Sequence, residues 1–81
     1  MKHTNRPAKP QPPTPEQIIK DVEAEYNNAW DILRHSKSQG SRYLAAGHAQ
    51  CASALLDRYK PDPERNKAMA RLMEKITIGA L

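Results

Sequence analysis

The chain has no phenylalanine, one tryptophan, one cysteine and three glycines in 81 residues. Each shortage removes a class of protein. A single cysteine, Cys51, cannot close a disulfide within the chain. Placed among apolar residues it suits a reducing compartment, so a cytoplasmic protein is expected. The glycines, Gly40, Gly47 and Gly79, are isolated, so no glycine-rich loop is available to cradle a phosphate. Neither a Gly-x-Ser-x-Gly elbow nor a His-Glu-x-x-His zinc motif occurs. No apolar run approaches the roughly 18 residues of a membrane span. The basic N-terminus meets proline where a signal peptide needs an apolar core. An enzyme, a bound cofactor, a membrane protein and an exported protein are therefore not expected.

What the chain has in quantity is proline at one end and alanine in the middle. Five of its seven prolines are Pro7, Pro10, Pro12, Pro13 and Pro15. Proline removes backbone donors and favours extended conformations. Residues 1–13 hold no large apolar group after Met1, so they read as a disordered basic tail carrying Lys2, Arg6 and Lys9 without an acid. Pro10-Gln-Pro-Pro13 matches the bare spacing of a polyproline-groove ligand, but a plain spacer is the stronger reading. The formal net charge of +4 comes mostly from this tail, and the remainder is close to balanced.

Residues 14–81 read as one all-α domain, a three-helix bundle made of a helical hairpin and a third packed helix. Thr14-Pro15-Glu16-Gln17 is a complete helix start, with Thr14 as cap, Pro15 in the first turn and Gln17 closing a capping box. Ile19, Val22, Tyr26, Ala29 and Leu33 follow at alternating spacings of three and four, and Ile18 and Ile32 widen that face. The spacing predicts a first helix over about residues 15–38, with Gly40 as terminator and Ser41 as the next cap.

A second helix is predicted over residues 42–59, and the fold is organised around it. Leu44, His48, Cys51 and Leu55 share one face; Ala45, Ala49, Ala52, Leu56 and Tyr59 form a stripe beside it. Together they make an apolar arc wide enough for two neighbours. Gly47 costs helix propensity, so close packing against a neighbour is expected there. Pro61 ends this helix. Asp62, Pro63 and Glu64 start a third, over 63–78, with Met69, Leu72, Met73, Ile76 and Ala80 on one side.

His48 and Cys51 are zinc-binding residue types on one helix face, but a site needs three or four ligands and the chain offers no others nearby. Cys51 is expected to be a small core residue and His48 a boundary residue. The acids of the first helix fall on its polar face and read as solvated. Tyr26, Trp30 and Tyr43 are candidate aromatic anchors for a protein partner. Arg65, Lys67, Arg71 and Lys75 complete that candidate surface.

The leading expectation is a non-enzymatic interaction protein, an adaptor or inhibitor docking through a helical face. In size and texture the chain resembles the short accessory proteins of bacteriophages and mobile elements. The alternative is a nucleic-acid-associated protein using Lys2, Arg6, Lys9, Lys67, Arg71 and Lys75 against phosphates. A third reading is self-association through the small-residue face of the second helix.

Overall fold

The computed structural model describes residues 11–81. It contains three α-helices, α1 (Pro15–His35), α2 (Gln39–Tyr59) and α3 (Pro63–Thr77), and no strand among the described residues. Lys2, Arg6, Lys9 and most of the tail lie outside those residues. The order is helix, short turn, helix, short turn, helix, as an all-α bundle requires.

The ends of α1 and α3 follow their local chemistry. Thr14 Oγ1 accepts from the Gln17 backbone N–H at 3.2 Å, and Gln17 Oε1 accepts from the Thr14 backbone N–H at 3.0 Å. This is a closed capping box with Pro15 just inside it. Asp62 caps α3 by accepting from the Glu64 backbone N–H at 3.0 Å, and Pro63 again follows the cap. At the other end of α3, Gly79 has φ of 70°. Its N–H donates to the Ile76 carbonyl and that of Ala80 to the Lys75 carbonyl. These are the two bonds of a Schellman motif, which needs the left-handed conformation glycine supplies.

The α1–α2 turn departs from expectation. α1 ends at His35, α2 begins at Gln39, and the cap is Ser38, whose Oγ accepts from the Ser41 backbone N–H at 3.3 Å. Gly40 is therefore inside the first turn of α2. Serine at the cap satisfies an orphan N–H that a glycine leaves to water.

Directions follow from side-chain contacts. Lys60, at the end of α2, donates to Glu23, in the first half of α1, at 3.2 Å; Gln39, at the start of α2, donates to the Leu81 carbonyl at 3.5 Å. α2 is thus antiparallel to both neighbours. The α1–α2 interface is the more extensive; α3 packs on another flank of α2, and the α1 and α3 backbones do not approach each other.

The core is thin and built from small groups. Ala29 and Leu33 of α1, Ala45, Ala46 and Ala49 of α2, and Met69 and Leu72 of α3 form one cluster, with Tyr26, Trp30, Ile76 and Leu81 packed at its edges. Ala46 and Ala49 are completely buried. Alanine lets helix backbones approach closely, but each side chain removes little apolar area from water, at about 25 cal/mol per Å².

This core corrects the reading of α2. The alanine stripe and Leu56 are buried as expected, while Leu44 is 67 % and Leu55 44 % exposed. His48 and Cys51 lie between those two leucines and are exposed as well. Cys51 is therefore not a core residue. Both stripes are apolar, but two neighbours packing at alanine distance cover only the small-residue side. Gly47 is corrected too, because a Cβ added there meets nothing within 4 Å among the described residues. Ile18, Ile32, Tyr59 and Met73 also remain largely exposed, and so does Ala80.

Candidate functional site

The antiparallel turns bring the end of α1, the start of α2 and the end of α3 to one end of the molecule. A cleft of about 370 Å³ opens there. Its apolar lining is Trp30 and Leu33 from α1, Ala68 and Leu72 from α3, and Leu81. Its polar lining is Arg34, Arg42, Arg71 and Lys75. Four cations thus surround an apolar floor with no acid among the lining residues.

Trp30 is one of the α1 residues that line this cleft. Its ring packs on the core edge and meets Tyr26 edge-on, with centroids 6.2 Å apart and planes at 68°. Aromatic pairs in this geometry are stabilised by about 0.5–1.5 kcal/mol beyond their buried area. The Trp30 indole Nε1 is buried and has no hydrogen-bond partner among the described residues, and the same holds for Arg42 Nε and, away from this cleft, Arg65 Nε. A buried donor without a partner costs about 1–3 kcal/mol.

The cations differ in their other ties. Arg34 holds Asp31 at 3.0 Å on an exposed part of α1, a pair worth little in water. No ion pair involves Arg42, Arg71 or Lys75 among the described residues. Arg71 and Lys75 are exposed, one helical turn apart.

The candidate residues therefore fall into two groups. Trp30, Arg71 and Lys75 come together in the cleft, with Tyr26 supporting Trp30 from behind. Lys67 is exposed beside Glu64 at 3.6 Å and does not line the cleft. Tyr43 is half-buried, its hydroxyl 3.9 Å from where a Cβ on Gly79 would stand. Arg65 is 9 % exposed. Its guanidinium serves the fold, donating to Asp57 and to the Lys60 carbonyl. Arg34 and Arg42 were not among the candidates. They flank the α1–α2 turn, so an antiparallel hairpin alone is enough to place them at one end.

A second concavity, about 410 Å³, lies along the hairpin, between Ile32 and Asn28 of α1 and Leu44 and His48 of α2. Its cationic content is low and its rim includes Glu25, so it differs in chemistry from the Trp30 cleft. No helix among the described residues is long and apolar enough to cross a membrane, and no group of three or more metal-ligating side chains occurs among them.

No protein-family model, curated protein or solved structure matches the chain.

Proposed function

We propose that this chain is a non-enzymatic binding protein, an adaptor or inhibitor, that holds an acidic segment of a protein partner in the Trp30 cleft. One observation carries the reading: Trp30 and an apolar floor are ringed by Arg34, Arg42, Arg71 and Lys75 with no acid between them. Carboxylates of the partner pair with the cations of the cleft, and an apolar side chain beside them fills the floor. Tryptophan and arginine are the residue types that dominate binding energy when they sit together in a desolvated pocket. Arginine is suited to carboxylates because its fork donates two parallel hydrogen bonds.

The same cations favour a second reading, in which the cleft and Lys2, Arg6 and Lys9 of the tail bind phosphates of a nucleic acid. That reading needs no apolar floor, and it predicts affinity that falls steeply with salt.

Affinity capture from lysate with and without nuclease separates the two. The baits are the wild type and an Arg71→Glu/Lys75→Glu variant, both exposed positions whose replacement leaves the core intact. A protein retained by the wild type and lost by the variant supports the acidic-segment reading. Partners that disappear with nuclease support the nucleic-acid reading. A partner retained equally by both baits removes the cleft from either.

A further inference from the structure

The two interfaces of α2 leave the molecule open on one side. α1 and α3 both run antiparallel to α2, so they point the same way, and their backbones do not approach each other. A closed three-helix bundle has three interfaces; this one has two. In an up-down-up-down bundle of four helices, the first and third stand at diagonal corners, each packed on its neighbours and not on the other. α1, α2 and α3 have the arrangement of three corners of such a square. The Trp30 cleft opens toward the fourth, since Trp30 and Leu33 of α1 face Ala68 and Leu72 of α3 across it.

The α3 wall repeats with the helical turn. Ala68 and Leu72 line the cleft four residues apart, and Arg71 and Lys75 line it four residues apart beside them. Groups at that spacing lie about 5–6 Å apart on one side of a helix. A partner helix lying alongside presents its own side chains at the same interval. A cleft of about 370 Å³ takes side chains rather than a whole helix, which is about 10 Å across, so the partner's backbone stays at the mouth. An extended segment has nearly the same interval between alternate residues. It also brings unpaired N–H and C=O groups against helical walls whose own backbone groups are already bonded. A helix satisfies its own. Charge gives the direction. Arg34 and Lys75 lie in the last turns of α1 and α3, and Arg42 lies near the start of α2. Acids are favoured in the first turn of a helix. A helix antiparallel to α1 and α3 therefore sets its acidic first turns against these cations.

Resting on the acidic-segment reading of this cleft, we infer that the partner's segment is an amphipathic helix that completes a four-helix bundle, antiparallel to α1 and α3. Carboxylates four residues apart in its first turns meet Arg71 and Lys75, with Arg34 and Arg42 across from them. Its apolar row enters beside Trp30, Leu33 and Leu72.

The probe is a synthetic, tryptophan-free peptide of about 14 residues, a length at which an isolated helix is marginal in water. It carries glutamates four apart in its first two turns and leucines in one row along its length. Binding to the full chain is read as Trp30 emission and as helix content gained by circular dichroism. The expected result is saturable binding with a gain in helicity. Affinity is weaker by roughly a hundredfold when an interior residue of the peptide is proline, and by roughly tenfold or more for the Arg71→Glu/Lys75→Glu protein. Trp30 transfers energy more efficiently to a dansyl group on the peptide's first residue than to one on its last. A proline peptide bound as tightly, binding without gained helicity, or stronger transfer to the last residue overturns the inference and leaves the acidic-segment reading in place. Trp30 emission that shifts with protein concentration alone gives the groove to a second copy and overturns the inference. Absence of binding by every peptide, or equal binding to wild type and double variant, overturns both.

Discussion

Arg65 and Asp57 face each other across the α2–α3 turn at 3.0 Å, and the same Arg65 nitrogen lies 2.7 Å from the Lys60 carbonyl. The arginine side chain is 8 % exposed and the aspartate 43 %. One cation thus ties the last turn of α2, the connection and the first turn of α3. Arg65→Ala removes both bonds and leaves a void, so it is expected to lower stability by about 2–3 kcal/mol. Asp57→Ala leaves the arginine its carbonyl and some water, and costs about 1 kcal/mol. Urea unfolding of the two variants checks the order; equal losses contradict the asymmetry.

The start of α2 gives a paired test of the turn. Ser38→Ala deletes the capping oxygen and is expected to cost about 1 kcal/mol. Ser41→Ala keeps the N–H that Ser38 caps and should fall within about 0.5 kcal/mol of wild type. If Ser41 is the costly position, the helix begins three residues later than described.

Two glycines should respond with opposite signs. Gly47→Ala meets open space, so in the monomer it is expected to raise stability by about 0.5–1 kcal/mol. Gly79→Ala must hold a positive φ and should lower it by about 1 kcal/mol. Thermal unfolding reads both.

The two stripes of α2 are separated by leucine truncation. Leu56→Ala empties a buried position and should cost about 2–4 kcal/mol. Leu44→Ala is expected to stay within about 0.5 kcal/mol of wild type, because the side chain is mostly in water already. Comparable losses at both sites mean that the Leu44 face is covered in the folded monomer.

That contrast also marks where the sequence stops being informative. Caps are local, so Thr14 and Asp62 are legible from three or four neighbouring residues. At the start of α2 the sequence pointed to Ser41, whereas the cap is Ser38, three residues earlier, because the cap depends on how the hairpin closes. The hydrophobic period locates α2 but does not say which of two apolar stripes is inside. Ala45, Ala49 and Ala52 are buried because helix backbones approach at alanine distance, a property of the neighbours. The Trp30 cleft was half legible. Arg71 and Lys75 stand out as a stripe on one helix, whereas Arg34 and Arg42 join them only through the antiparallel topology.

The most direct test of the cleft uses Trp30 itself, the only tryptophan in the chain. Its fluorescence is followed while the protein is titrated with the partner captured by the wild type, using a tryptophan-free peptide of its acidic segment. The account predicts a saturable change in Trp30 emission, and an affinity for Arg71→Glu/Lys75→Glu weaker by roughly ten- to hundredfold, about 1.4–3 kcal/mol. Binding that leaves Trp30 emission unchanged, or that is as tight for the double variant, contradicts it.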